Sequence, residues 1–361
     1  MVLDVLSGEI PARQDMIGKL RRRRSYWISV FLVFLPLLLL TLGDGVQLLP
    51  AAERFMVANS ALNIFGTPVW LAKEKAIFLK YGLDVEAIYI PSGTQAMQAL
   101  LSGDVKAAVA AGTAAVNSRL QGAPIKIIAG VANYYTNSFF STPDIKEPRD
   151  LRGKKVAVTR FGSSSHFATV ILLKKFGLEE GKDYTILQLG STQNRLIALT
   201  KGMIQGTTLS GVEAVMAGKA RMNVLITVSD MRRRGIAFQH NGLVVTDLVL
   251  QKSKPLLKAF LKAYLEGVRE VYRDKDATMR VLGKYTRVAD REVLSATYDE
   301  DYEGIDKEGA LIEEGIQVIL TELGKADPRA AKAQPGQFLD PTLLQELSGE
   351  GFIKALWSVS K

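Results

Sequence analysis

The chain repeats itself. A unit that opens with Phe65-Gly66-Thr67 returns as Phe161-Gly162-Ser163, 96 positions later. Thr94 returns as Thr192 after 98 positions, and Gly103 as Gly202 after 99. One such coincidence could arise by chance. An ordered set at a nearly constant offset indicates a duplicated structural unit.

Each copy alternates strand and helix. In the first, an apolar-periodic stretch from Val69 to Leu79 leads through Lys80-Tyr81-Gly82-Leu83 to a strand-like run, Val85 to Ile90. Gly93-Thr94-Gln95 opens a second helical stretch ending at Gly103, and a small-residue strand from Val105 to Ala110 leads to Gly112. In the second copy Val156-Ala157-Val158 precedes Phe161-Gly162-Ser163, and a helix runs to Gly177-Leu178. A strand spans Tyr184 to Leu189, a helix ends at Gly202, and a last strand ends near Leu209-Ser210-Gly211. This order predicts parallel sheets with right-handed crossovers, hence two α/β lobes of similar design. Gly82, Gly103, Gly177 and Gly202 read as C′ caps. Thr67-Pro68 reads as an N-cap followed by proline at N1.

Two such lobes form a cleft. In open α/β sheets ligands bind beyond the carboxyl ends of the strands, where helix N-termini present unpaired N–H groups. Closing the cleft removes a small solute from water. The rest of the inventory points away from chemistry. There is no cysteine, which excludes disulfides, thiolate sites and a lipid-modified N-terminal cysteine. The two histidines, His166 and His240, lie far apart, and no metal-binding pair, G-x-S-x-G elbow or P-loop occurs. No catalytic residue, cofactor or metal is expected. His166, directly after Ser163-Ser164-Ser165, is either a ligand contact or a plain first-turn residue. His240 reads as a turn residue.

The net charge of +9 includes six basic and three acidic residues before Gly43. The remainder carries a mild positive excess, read either as steering for anionic partners or as a mixed soluble surface. It shows no basic stripe interleaved with aromatics, so no nucleic acid is expected. Arg21 to Arg24 precede Tyr26-Trp27 and an uncharged apolar run to Leu42, interrupted by Pro36. Residues 1–52 therefore read as a cytoplasmic basic segment with a signal peptide or signal-anchor helix.

Several motifs occur together: Pro68-x-x-Leu71-Ala72-Lys73-Glu74-Lys75, Lys80-Tyr81-Gly82-Leu83, Ser92-Gly93-Thr94-Gln95-Ala96, Leu151-Arg152-Gly153-Lys154-Lys155-Val156-Ala157-Val158, Phe161-Gly162-Ser163-Ser164-Ser165 and the closing Gly351-Phe352-Ile353-Lys354-Ala355-Leu356-Trp357. This set resembles the periplasmic binding proteins of ABC-type nitrate, sulfonate, taurine and bicarbonate importers, a superfamily that includes thiamine-pyrimidine synthase-like proteins. The resemblance covers roughly residues 55–357. It implies a type II periplasmic binding protein fold, two α/β lobes joined by a two-segment hinge, with crossovers near Tyr135–Thr142 and Ser229–Val245. Lobe 1 then comprises residues 53–138 and 243–361, and lobe 2 residues 139–242.

It further implies a monomeric, extracytoplasmic receptor that captures a small solute, anionic ones among the candidates, and hands it to an ABC permease. Positions that match the family's ligand-contacting loops are Phe65, Gly66, Thr67, Ser92, Gly93, Gly112, Thr113, Asn133, Tyr134, Gly162, Ser163, Ser164, Ser165, His166, Ser210 and Gly211. Trp70 is a candidate for the cleft wall or for the core. Relatives often carry Asp where this chain has Lys106 and Gln205, and an aromatic or proline near Ser210-Gly211-Val212, so an altered pocket is expected. Two alternatives stand beside the receptor reading. One is an anchored sensor or scaffold with a degenerate cleft. The other is a pyrimidine-forming enzyme, whose cysteine- and histidine-rich site has no counterpart here.

Overall fold

The computed structural model describes residues 52–227 and 237–358; residues 1–51 of the segment read at 1–52, and residues 229–236 of the crossover read near Ser229–Val245, lie outside them. No helix of the described residues is long and apolar enough to cross a membrane. The described chain begins with β1 (Glu53–Asn59), a 3-10 turn (Ile64–Gly66), α1 (Thr67–Glu74), α2 (Ile77–Lys80), β2 (Leu83–Tyr89), α3 (Gly93–Ser102), β3 (Ala107–Ala111), α4 (Gly112–Leu120) and β4 (Ile125–Ala132). It crosses to a second lobe with β5 (Ser138–Ser141), β6 (Lys154–Val158), α5 (Ser164–Lys174), β7 (Tyr184–Gln188), α6 (Thr192–Thr200), β8 (Gly206–Leu209), α7 (Val212–Lys219) and β9 (Asn223–Ile226). It returns as β10 (Asn241–Thr246), α8 (Asp247–Lys252), α9 (Lys254–Arg273), α10 (Lys275–Thr286), α11 (Arg291–Asp301), α12 (Glu313–Leu323), α13 (Pro328–Lys332), α14 (Thr342–Gly349) and α15 (Phe352–Ser358).

The duplication is visible in the sheets. One has the order β2-β1-β3-β10-β4, the other β7-β6-β8-β5-β9. The first three strands of each are parallel. The fourth position is filled, antiparallel, by the strand that has just crossed from the other lobe. Gly103 and Gly202 end their helices at matching points with φ of 83° and 67°, the left-handed termination expected of the repeat.

Small residues let the layers approach. All of β3, Ala-Ala-Val-Ala-Ala, is buried, as suits a central strand covered on both faces. Larger side chains fill the opposite flank: Phe260 of α9 stacks on Phe55 and Phe78 at 4.6 and 5.2 Å between ring centroids. Each fully buried aromatic of this kind contributes about 1.5–3 kcal/mol.

The two crossing segments are bonded to each other. The Phe238 amide donates to the Asn133 carbonyl (3.2 Å) and the His240 amide to the Ala132 carbonyl (2.9 Å). The Gln239 side chain donates to Asn133 Oδ1 at 2.9 Å. The hinge is therefore a short two-stranded strap rather than two independent linkers.

Candidate functional site

The carboxyl ends of lobe 1 carry polar atoms that the protein does not satisfy. Asn59 and Tyr89 end β1 and β2 side by side in register, and β3 passes into α4 at Gly112. Both amide atoms of Asn59 and the hydroxyls of Thr67, Ser92, Thr94 and Thr113 are buried without a hydrogen-bond partner. Leaving such groups unpaired costs roughly 1–3 kcal/mol each, so this concentration at one edge marks a site that something else completes.

Thr67 differs from the sequence reading. It is not an N-cap. Asn63 caps the preceding 3-10 turn, its Oδ1 accepting from the Phe65 amide at 3.2 Å, and α1 follows with Gly66 at its N-cap position. The cap is thus supplied one turn earlier, which leaves the Thr67 hydroxyl free.

Lobe 2 offers charge. Arg195 of α6 is only 2% exposed. Its Nη1 donates to Thr207 Oγ1 (3.0 Å), to the Thr208 carbonyl and to Thr208 Oγ1 (3.3 Å), and its Nη2 to Thr192 Oγ1 (3.3 Å). Its Nε has no partner, and among the described residues it forms no ion pair. Burial lowers its pKa to about 10, so it stays protonated; Tyr135, Glu213 and Tyr89 act the other way. Glu213, near the start of α7, is 3% exposed, and burial pushes its carboxyl up to about 7 against its own backbone N–H and the Arg195 charge. Tyr89 is raised to about 12, first by burial and then by Glu213. Arg195 is thus within electrostatic reach of Glu213, Tyr89 and Tyr135.

The hinge forms the back wall. The His240 ring lies edge-on to Tyr135 at 5.3 Å and to Phe65 at 6.5 Å. It is not an exposed turn residue: it is buried, its Nδ1 is unpartnered, and burial pushes its pKa down to about 3. The imidazole is therefore neutral. Gly112 lies against the same strap, where a Cβ would stand 2.1 Å from the Gln239 carbonyl oxygen.

The lobes are closed. Val212 of α7 is buried in the lobe 1 core. Asn117 Nδ2 donates to the Gly162 carbonyl at 3.4 Å, and Lys219 pairs with Asp290 (3.1 Å) and Glu292 (2.7 Å). A cavity of about 420 Å³ remains at the seam, lined by Asn59, Trp70, Tyr89 and Arg287 of lobe 1 and by Gln193 of lobe 2. Trp70 stacks on Tyr285 at 4.6 Å and 6°, so it is both buried and part of the cavity wall. The volume falls within the range of small-molecule sites, roughly 300–1,000 Å³.

Of the residues singled out in the sequence, the structure gathers Thr67, Ser92 and Thr113 at this edge, with Gly66, Gly93 and Gly112 buried beside them. Phe65 sits on the hinge wall, and Ser210 and Gly211 lie at the closure contact, where a Gly211 Cβ would stand 3.2 Å from Asn63 Cβ. Asn133 and Tyr134 face elsewhere. Asn133 donates to Asp306 (2.9 Å) and the Ala310 carbonyl (3.0 Å), and Tyr134 packs on Gly304. In the loop from Gly162 to His166, the Ser163 and Ser165 hydroxyls bond to Arg160, Thr159 and each other, while Ser164 begins α5, half-buried. The His166 ring accepts from the Gly162 amide (3.2 Å) and meets Glu180 (3.2 Å).

Lys106 and Gln205 lie at the amino ends of β3 and β8. Lys106 pairs with Glu53 (2.8 Å), and Gln205 donates to the Gly202 carbonyl (3.0 Å). These departures therefore sit at the end of the sheets away from the cleft. Sequence reasoning missed Arg195, Glu213, Asn59 and Tyr135. The available signal was a charge inside an apolar stripe: Arg195 is flanked by the buried Leu196, Ala198 and Leu199, a setting in which arginine is rare unless it is paired.

Comparison with known proteins agrees with this geometry. A family model described as NMT1/THI5 like matches residues 63–278. The riboflavin-binding protein RibY of Chloroflexus aurantiacus is 23% identical over 234 residues, 63% of this chain; the match spans 65% of that relative's length. The ligand-binding component of an ABC-type import system from Staphylococcus aureus superposes with a TM-score of 0.65 at 16% identity, covering 81% of this chain and 98% of the other. The alkanesulfonate-binding protein SsuA from Xanthomonas axonopodis pv. citri, bound to MOPS, superposes with a TM-score of 0.68 at 16% identity, covering 81% and 99%. At such identities the likeness of structures shows the fold: two lobes of the periplasmic-binding-protein kind.

Proposed function

Given that the chain belongs to the NMT1/THI5-like family, we propose that it is the extracytoplasmic solute-binding protein of an ABC-type importer. It captures a small solute between lobe 1 (53–138 and 243–361) and lobe 2 (139–242) by closure about the hinge, and delivers it to a permease in the membrane. A signal peptide or single anchor at residues 1–52 directs it outside the cytoplasmic membrane, where it works as a monomer. The observation that carries this reading is the set of buried, unpartnered polar atoms in the two lobes: Asn59, Thr67, Ser92 and Thr113 in lobe 1 and the Arg195 Nε in lobe 2. A solute that completes these hydrogen bonds holds the lobes together, and opening releases it. The named relatives, a riboflavin-binding protein, an ABC import component and an alkanesulfonate-binding protein, support capture over catalysis.

Thermal melting in a broad solute panel tests the reading. A true ligand at a hundred times its Kd adds about 2.7 kcal/mol, a rise in Tm of a few degrees. A panel spanning anions, zwitterions and heterocycles that leaves Tm unmoved throughout would overturn it.

A further inference from the structure

Two buried charges in lobe 2 occupy places where lobe 1 has none. The repeat aligns α6 with α3 and α7 with α4. At the Thr94/Thr192 offset of 98, Arg195 stands where lobe 1 has Met97; at the Gly103/Gly202 offset of 99, which also relates Gly112 to Gly211, Glu213 stands where lobe 1 has Ala114. Met97 and Ala114 are buried in an apolar core, with α3 packed on α4. The same helix pair thus packs with methionine and alanine in one lobe and with guanidinium and carboxylate, equally buried, in the other. Packing does not require the charges, and burying them unpaired is costly.

Nor do they satisfy one another. The Arg195 guanidinium is held by Thr192, Thr207 and Thr208, with Nε free. The Glu213 carboxyl has its own backbone N–H as its hydrogen-bond donor. Tyr89 lies close enough to respond to both charges. It also lines the seam cavity, as does Gln193, two residues before Arg195, and as do the stacked Trp70 and Tyr285.

We infer that Arg195 and Glu213 are the specificity pair of this cleft, and that its solute is a flat, uncharged heterocycle with an imide-like edge, a carbonyl accepting from Arg195 beside an N–H donating to Glu213. The inference rests on the solute-capture reading. An uncharged solute of this kind leaves the pair's opposite charges balanced. A sulfonate or nitrate drawn to Arg195 lies beside Glu213, a like charge wherever that carboxyl is ionised. Trp70, Tyr285 and Tyr89 supply the apolar wall on which a flat ring rests.

Calorimetric titration of the full chain with riboflavin, 3-methylriboflavin, methanesulfonate and nitrate tests this. Riboflavin, whose ring carries a free imide, should bind; blocking the imide N–H with methyl should weaken binding roughly tenfold or more. Glu213→Ala, which installs the lobe 1 residue, should lose riboflavin affinity by a similar factor and gain methanesulfonate affinity. Glu213→Gln, which removes the negative charge but keeps an acceptor for the imide N–H, should still gain methanesulfonate affinity, and provides that readout should the alanine variant not fold. The double variant Arg195→Met/Glu213→Ala should melt at or above the parent and bind none of the four. Tighter binding of methanesulfonate or nitrate than of riboflavin, indifference to the methyl group, or unchanged affinity in both Glu213 variants would each overturn the inference. If no heterocycle binds but another solute does, the pair's assignment falls and capture stands; if no solute of any class binds, both fall.

Discussion

Lobe 1 and lobe 2 repeat one strand–helix plan, yet they face the cleft with different chemistry. In lobe 1 the hydroxyls of Thr67, Ser92 and Thr113 at helix starts are buried and free. In lobe 2 the hydroxyls at the matching helix start are spoken for: Ser163 caps α5 and bonds Arg160, and Ser165 bonds Thr159. What lobe 2 presents instead is the Arg195–Glu213 pair at positions that lobe 1 fills with Met97 and Ala114. A duplicated scaffold thus preserves where strands end and helices begin, because backbone packing demands it. The few side chains at those ends are free to diverge, because the core does not depend on them.

Equivalent glycines break the comparison most sharply. Gly112 leaves no room for a side chain, its Cβ position lying 2.1 Å from the Gln239 carbonyl. Gly112→Ala should cost about 3 kcal/mol or more in urea unfolding, since the hinge strap must move. Its counterpart Gly211 has φ +61° and ψ −140°, a region open mainly to glycine. Gly211→Ala should cost roughly 1–3 kcal/mol. Because the added methyl would crowd Asn63 of the other lobe at 3.2 Å, it should also shift the chain toward an open form, read as a larger radius of gyration in solution scattering. Equal costs at the two positions would show that the strap is not the rigid part.

The hydroxyls sharpen it. Thr67→Val removes a buried, unpartnered group and should leave stability unchanged or raise it by about 1 kcal/mol, while solute affinity falls. Ser163→Ala removes a working N-cap and should lower stability by about 1 kcal/mol without changing affinity. A reversal of these two patterns would exchange the roles assigned to the lobes.

Titration separates the charged wall from the hinge. The Glu213 carboxyl is pushed by burial from 4.5 up to about 7. Between those values the folded chain keeps a proton that the unfolded chain has released, so this residue lowers stability progressively as pH rises across that window. His240, pushed from 6.5 down to about 3, acts in the opposite sense: its contribution is lost as pH falls from 6.5 toward 3. The two slopes oppose between pH 4.5 and 6.5. Melting of Glu213→Gln should therefore climb with pH over this range, while the parent stays nearly level. Parallel profiles would show that Glu213 is not desolvated in the folded chain.

The smallest effect is expected at the rim. Lys219→Met removes the ion pairs to Asp290 and Glu292, but these charges stand in solvent. No measurable change in Tm is expected at physiological salt. A clear drop would mean that closure depends on the rim rather than on Val212 and Gly211.

Much of the plan was legible beforehand. The repeat at offsets of 96 to 99 implied two parallel-sheet lobes, because a strand–helix alternation of that length has few other ways to bury its apolar faces. Thr67, Ser92 and Thr113 stand out in the sequence because they match ligand-contacting loops of the family its motifs resemble. Asn133 and His166 carry the same kind of local signal, and the fold spends it differently: Asn133 fastens the hinge to Asp306, and His166 turns to Glu180. Whether such a side chain points into the cleft depends on partners distant in sequence, which no local pattern contains.

Composition and periodicity therefore determined the element order, the two-lobe architecture and the edge of each sheet at which strands hand over to helices, since these follow from short-range backbone geometry and burial of apolar faces. Tertiary structure alone decided the chemistry at that edge. It brought Arg195 and Glu213 of the second lobe within electrostatic reach of Tyr89 of β2, Arg195 also within reach of Tyr135 of the hinge, and set His240 against Tyr135. The burial that raises Glu213 and lowers His240 comes from packing between segments far apart in sequence, because only the folded chain removes water from both groups.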